Sequence, residues 1–414
     1  MSDPSPPDPF LPTLCRHALA GPPLYHAWIA LLLAGVFFGG LAYGEQAGLG
    51  LQVTGLSDQV VWGLYIGNFT FLVGVAAAAV VLVIPAALLH HPEAAKALLP
   101  AKALAIAAVV MSLLFVLVDL GRPARIWHAL PGWGTPNFPL SILAWDMLVL
   151  GLYLALSLFL FFFVLRRHHR RLPPHPPGLF PAILLAILLG IGIHTVTAFM
   201  LAANPARPFW HSSLLAPRFI ASAFAAGSGI LLLTLRLLDR FDHASRFQET
   251  EAFLRRVMAI TLSIHLFFLA SELFVHLHRH TGPGRGTMLL LHGGAGYLSD
   301  WVWTGMALNG VRAVLLLVTP WRRHRGISGM AAVAVVVGVW LEKGPGLIVP
   351  GFIPTPLGEM AGYDPTAIEI RVSLGIVAAG LLILTLLLRV TSRMAAASDT
   401  GGNRRHRPAP DNAG

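Results

Sequence analysis

"LVLGLYLALSLFLFFFVL", residues 148–165, runs for eighteen residues without a charge. Crossing a bilayer takes about 20 predominantly apolar residues. "GIVAAGLLILTLLLRV" (375–390) repeats the pattern near the other end of the chain. The 414 residues are 56% hydrophobic and 12% charged, with a mean hydropathy of +0.70. Globular domains carry about 25% charged residues. In lipid every backbone N–H and C=O must be satisfied within the chain, which leaves helices for segments of this kind. The sequence therefore predicts an all-α integral membrane protein.

About ten spans are expected, near 24–44, 60–89, 98–119, 142–165, 179–201, 217–238, 252–277, 298–319, 327–341 and 370–390. The transmembrane domain is 24–390, flanked by disordered cytoplasmic tails at 1–23 and 391–414. The first tail, "MSDPSPPDPFLP", is acidic and Pro-rich and has no signal-peptide character. Arg166, Arg167, Arg170 and Arg171 follow the fourth span, and Arg322, Arg323 and Arg325 follow the eighth. Arg393, Arg404, Arg405 and Arg407 lie in the C-terminal tail. The opposite loops hold Glu45, Asp58, Glu342, Glu359, Asp364 and Glu369 against Lys343 and Arg371. Basic loops stay in the cytoplasm, so both termini are expected inside. The net charge of +10 belongs to this asymmetry and to anionic lipid, not to a nucleic-acid partner.

The single cysteine, Cys15, excludes an internal disulfide, a cysteine-ligated iron–sulfur cluster and a CxxCH haem site. No phosphate-binding glycine loop or HExxH zinc motif occurs. "VWLEKGPGLIVPGFIPTPLGEM" (339–360) is too rich in Pro and Gly for a helix and too apolar for a wet loop. Irregular backbone at membrane depth is tolerated only inside protein or along a cavity. It is expected to pack against outer helix ends or beneath a partner protein.

Ionisable groups in spans are costly and point to function. Here they gather toward the outer ends: Tyr65, Asn68, Asp119, Arg122, Arg125, Trp145, Asp146, Glu272, His276, Asp300 and Glu342. Blander readings stand beside this one. The tryptophans suit an interfacial belt. Arg122 and Arg125 suit lipid phosphate or a helix C-terminus. Asp119 and Asp146 suit a structural pair with Arg122. Glu272 has no cationic neighbour in sequence, which favours a protonatable role. His194 and His265 sit at similar depths, as a haem ligand pair or as interhelical polar contacts.

"NFTFLVGVAAAAV" (68–80) resembles "RFIASAFAAGSGI" (218–230). In each half an acid closes one helix and another opens the next: Asp119 then Asp146, Glu272 then Asp300. This predicts two parallel four-helix bundles, about 60–201 and 217–341, with the first and last spans outside them.

"WGLYIGNFTFLVGVAAAAV" (62–80), "DLGRPARIWH" (119–128), "HTVTAFML" (194–201) and "APRFIASAFAAG" (216–227) resemble the NrfD, or polysulfide-reductase membrane-subunit, family. "WLEKGPGLIVPGFIPTPLGE" (340–359) followed by "YDPT" (363–366) resembles its DsrP branch and Hmc-type relatives. The resemblance implies a quinone-reactive subunit, using menaquinone or ubiquinone, with no iron–sulfur cluster or other redox metal of its own. It implies a bacterial inner-membrane location and a DsrMKJOP-type complex of dissimilatory sulfur metabolism. The implied partners are a periplasmic ferredoxin-like iron–sulfur subunit, a multihaem cytochrome c, a haem b membrane subunit and a cytoplasmic iron–sulfur subunit.

Matched to the family's pocket in the first bundle, Tyr65 or Asn68 holds a quinone carbonyl and Asp119 or Asp146 accepts a proton, with Arg122, Trp145 and His194 beside them. Glu272 is a further catalytic candidate, and Glu342 and Lys343 are expected at the partner contact. Some relatives carry a histidine where this chain has Ala77, which puts their proton pathway in doubt here. The alternatives are a haem b cytochrome using His194 and His265, a structural anchor, and, ranked last, a transporter.

Overall fold

The computed structural model describes residues 9–129, 133–170, 172–173, 176–242, 247–278, 291, 297–317, 324–352 and 362–403. Glu359, Arg171, Arg322, Arg323, Arg404, Arg405 and Arg407 lie outside them. Every regular element among the described residues is a helix, with no strand. Its helices are α1 (Phe10–Leu19), α2 (Pro23–Leu49), α3 (Leu64–Ala76), α4 (Ala78–Ala87), α5 (Pro92–Lys96), α6 (Leu98–Asp119) and α7 (Ile142–His169). They continue with α8 (Phe180–Ala202), α9 (Leu215–Asp242), α10 (Gln248–His278), α11 (Tyr297–Leu317), α12 (Arg325–Lys343), α13 (Pro345–Ile348) and α14 (Ala367–Asn403).

Each expected span coincides with helix. Among the described residues, nine stretches are long and apolar enough to cross a membrane. The eighth expected span, α11, carries Asp300, Asn309 and Arg312 and is not one of the nine. The second expected span is one crossing but two helices, broken at Ala77. There the Tyr153 hydroxyl donates to the Ala76 carbonyl at 2.9 Å, drawing on an acceptor of the helix ladder. The first eight residues lie outside the description, but 10–19, expected in a disordered tail, form α1. It packs on α14, and Tyr25 Oη donates to Ala18 O at 2.6 Å. Likewise α14 runs on past residue 390.

The helices close two rings of four. In the first, α3/α4 packs on α6, α6 on α7, α7 on α8, and α8 back on α4. In the second, α9 packs on α10, α10 on α11, α11 on α12, and α12 back on α9. The rings meet where α3, α4 and α8 cross α9. Between membrane helices the drive to associate comes from close packing rather than water exclusion, so small residues mark the interfaces. A side chain on Gly227 of α9 would run into Ala78 of α4. The two segments resembling each other in sequence are thus the two that cross at the molecular centre. The peripheral pair, α2 and α14, makes a similar approach at Gly39 and Gly375, and α14 lies on α6.

The N-terminus of α14 is a capping box. Thr366 Oγ1 accepts from Glu369 N at 3.4 Å, and Glu369 Oε2 accepts from Thr366 N at 2.9 Å. The same carboxylate takes Gly55 N at 2.8 Å and the Tyr363 hydroxyl at 2.7 Å, and that hydroxyl in turn accepts Leu64 N at 2.7 Å. One buried acid thereby ties α14 to the start of α3.

A buried ionic network at the meeting of two rings

The Pro/Gly-rich segment after α12 is buried as far as residue 352: α13 and a 3₁₀ turn, Val349–Phe352, have every residue enclosed. Trp210 Nε1 donates to Leu347 O at 2.8 Å, and the Trp210 ring stands against Phe352 and stacks with Trp62. Residues 353–361 lie outside the description. This fold-back places the end of α12 at the seam of the rings.

Adjacent residues on a helix point about 100° apart, so Glu342 and Lys343 serve different rings. Glu342 enters the second. Its Oε1 is 2.6 Å from Arg218 Nη2, and its Oε2 is 2.6 Å from His265 Nε2 and accepts from Asn309 Nδ2 at 3.2 Å. Lys343 turns to the seam, with Nζ 4.1 Å from the centroid of the Phe219 ring and beside Gly74. Both side chains are buried. These two residues, expected to organise the outer loop and the partner contact, are thus enclosed within the described part of this chain.

Arg218 is the residue the sequence reading missed. On α9, 7% exposed, it joins two carboxylates: Nη2 binds Glu342 and Nη1 binds Glu272 of α10, which is 5% exposed. Glu272, which has no cationic neighbour in sequence, gains one in space from a residue 54 positions earlier in the chain. A signal existed, since the repeat sets Arg218 opposite Asn68. Asn309 was not singled out, and its amide is what completes the coordination of Glu342.

A cleft opens on this network. Phe209, Leu269, Leu273, Val302, Met306 and Leu347 line it together with Arg218, Glu272, His276 and Glu342. It encloses about 530 Å³ of empty space, its open mouth included.

The first ring holds the remaining candidates in separate groups. Tyr65 is fully buried and donates to Gln46 Oε1 at 2.6 Å, and Gln46 Nε2 donates to Val118 O at 2.7 Å. Tyr65 lies within electrostatic range of Asp119, whose Oδ1 is buried without a hydrogen bond. Asn68 Oδ1 accepts from Trp340 Nε1 at 2.8 Å, while its Nδ2 reaches Ser373 Oγ only at 3.5 Å. Asp146 is 3% exposed and accepts the Thr197 hydroxyl at 2.6 Å. No hydrogen bond joins the Asp146 pair to the Tyr65 group among the described residues.

His194 is buried beside the Gly74 and Gly190 carbonyls, with no hydrogen bond of normal geometry at either ring nitrogen. The two histidines weighed as alternative haem ligands serve different neighbours, since His265 Nε2 is given to Glu342. Arg122 and Trp145 are exposed, with Trp145 Nε1 donating to Pro139 O at 2.8 Å. Among the described residues no group of three or more His, Cys, Asp or Glu side chains is arranged to hold a metal ion.

At the opposite end of the second ring, Glu251 gathers Arg236 at 3.0 Å, Arg325 at 2.9 Å and Arg255 at 3.4 Å, stapling α9, α10 and α12.

Residues 52–351 match the sequence profile described as polysulphide reductase, NrfD. A Halobacterium salinarum protein named as a membrane subunit of dimethyl sulfoxide reductase is 30% identical over 92% of this chain and 95% of its own length. A protein of Mesobacillus selenatarsenatis named as a selenate reductase subunit is 22% identical over 82% of this chain and 88% of its own. The integral membrane subunit of the Hdr-like menaquinol oxidoreductase of Archaeoglobus fulgidus is 23% identical over 60% of each chain. With its membrane-spanning helices and a match covering most of its length, the chain is a multi-pass membrane protein and belongs to the polysulphide reductase NrfD family.

Proposed function

We propose that this chain is the quinone-interacting membrane subunit of a multi-subunit oxidoreductase, exchanging electrons between the quinone pool and an iron–sulfur partner on the outer face. The relatives' names, subunits of reductases and of a menaquinol oxidoreductase, support the class. The observation that carries the site is two acids of the first ring with no ion pair among the described residues: half-buried Asp119, one oxygen of which is enclosed without a hydrogen bond, and buried Asp146, held by one hydroxyl. An enclosed carboxylate without a countercharge is a proton acceptor in waiting. Oxidising a quinol releases two protons with two electrons, and a positioned base must receive them.

Asn68 is the better-placed donor to a quinone carbonyl. Trp340 fixes its oxygen and leaves its amide N–H₂ weakly engaged, whereas the Tyr65 hydroxyl is spent on Gln46. His194, Arg122 and Trp145 complete the proposed surroundings. The basic ends of α7 and α12 face the cytoplasm in this reading, with both termini inside. The DsrP branch, its sulfur-metabolism partners and the bacterial inner membrane belong to the same proposal, on the strength of "WLEKGPGLIVPGFIPTPLGE" (340–359) and "YDPT" (363–366).

The test is Asp146→Asn in the assembled complex. Quinol-dependent electron transfer is expected to fall at least 100-fold while the subunits still copurify. Normal turnover overturns the assignment.

A further inference from the structure

Helix α1 and the helix ends it lies against take no part in the site just proposed. On the inner side of α1, Leu14 belongs to one buried cluster with Leu165 of α7 and with Leu388 and Met394 of α14. The Phe10 ring is 5.6 Å from the ring of His169, and Arg389 Nε donates to Ala20 O at 3.1 Å. These contacts gather basic side chains from three helices. His17 is within electrostatic range of Arg393, Arg16 and His169, and Tyr25 is within range of Arg389 and Arg393. Burial, and then those three cations, hold the His17 imidazole below its usual range. Its Nδ1 is enclosed without a hydrogen bond. No acid occurs in residues 9–26, 147–182 or 370–398, the stretches that supply these helix ends. Like charges held together repel, and a shared anion relieves that repulsion.

The other side of α1 points to the source of the anion. Leu11 and Leu19 are 70% and 67% exposed, and exposed Cys15 lies between them, a stripe at i, i+4 and i+8. Apolar surface thus faces both toward the protein and away from it. Only three residues separate α1 from α2, the first membrane span. A helix of this kind lies in the headgroup layer, with its leucines at the acyl boundary and its cations at the phosphates. A free phosphate ion would engage the cations and leave the leucines in water.

We infer that α1, the last turn of α7 and the Arg389–Arg393 turn of α14 form a binding site for the phosphate headgroup of an anionic glycerophospholipid. Arg16, His17, His169 and Arg393 surround the phosphate, and Leu11 and Leu19 sit among the acyl chains. The site does not depend on the quinone reading.

The experiment uses the purified full chain in phosphatidylcholine nanodiscs. The probe is a trace of phosphatidylglycerol with a photoreactive diazirine high on one acyl chain, and labelled peptides are mapped by mass spectrometry. Label on residues 10–19 is expected to exceed that from the matching diazirine phosphatidylcholine at least tenfold. An arginine beside an anionic headgroup is worth about fivefold in affinity. Arg16→Gln/Arg393→Gln is therefore expected to lower the phosphatidylglycerol label there at least fivefold, with label elsewhere on the chain constant. Should that variant fail to fold, the unaltered chain is measured while NaCl is raised from about 0.1 M to about 1 M, which shortens the screening length from about 10 Å to about 3 Å. The same loss is expected. Equal label from the two probes overturns the inference, as does label that survives either treatment or its absence from residues 10–19. Excess inorganic phosphate at constant ionic strength is expected to leave the label unchanged. Its displacement assigns the cluster to free phosphate and overturns the lipid source.

Discussion

Removing Arg218 should be far more harmful than removing the whole network around it. At 2.6 Å and an effective dielectric constant of about 20, the Arg218–Glu342 pair attracts by about 6 kcal/mol. Desolvating the charges offsets much of that, and truncating one partner of such a buried pair has a net cost of about 3–5 kcal/mol. Arg218→Met strands two carboxylates that are 5% and 4% exposed, so the upper part of that range is expected. The triple variant Arg218→Met/Glu272→Gln/Glu342→Gln leaves neither carboxylate stranded, with the buried Lys343 ammonium as the one charge of the network remaining, and should recover much of the loss, as buried ionic groups replaced together often do.

The assay is reversible unfolding of the purified chain in mixed micelles by added SDS, followed by tryptophan fluorescence, with the parent and both variants measured side by side. An Arg218→Met cost below about 1 kcal/mol, the value of a solvated surface pair, would refute the reasoning, because the network would then not be shielded as the structure has it. A triple variant no more stable than the single one would refute it equally.

Three further outcomes are expected. Glu369→Ala removes the capping box of α14 and the anchor for Gly55 and Tyr363, and should lower stability by about 2–4 kcal/mol in the same assay. Gly227→Leu drives a side chain into Ala78 and should destabilise the seam between the rings by about 1–3 kcal/mol or more, read as a lower unfolding midpoint. Asp146→Asn and Asp119→Asn should each abolish quinol-dependent turnover without lowering yield of the assembled complex, while Tyr65→Phe, whose hydroxyl serves Gln46, should keep turnover within about threefold, equivalent to under 1 kcal/mol, with the loss appearing as stability.

What could be read without the structure follows from a local property. Hydropathy is a sum over neighbouring residues, and a run such as 148–165 has no stable place outside lipid and no backbone solution there but a helix. The spans, the helical class and the burial of the Gly344–Phe352 turn were legible for this reason, and the family motifs lie on the same segments. The repeat of small residues was legible too, and it marked the two helices that cross at the centre.

Partnership between side chains is not local. Glu272 read as an acid without a cation near it in sequence because its guanidinium comes from a helix 54 residues away, and Glu342 was placed at a span end because nothing in one dimension tells the end of a span from the seam between two rings. Tyr65 read as a ligand until α2 supplied Gln46. The break at Ala77 depends on a hydroxyl from α7. Sequence by itself determined that these helices form and roughly where each begins. Tertiary structure alone decided which polar groups meet, because an ion pair exists only where the crossing of two helices brings its atoms to about 3 Å, and that crossing is set by the packing of all the others.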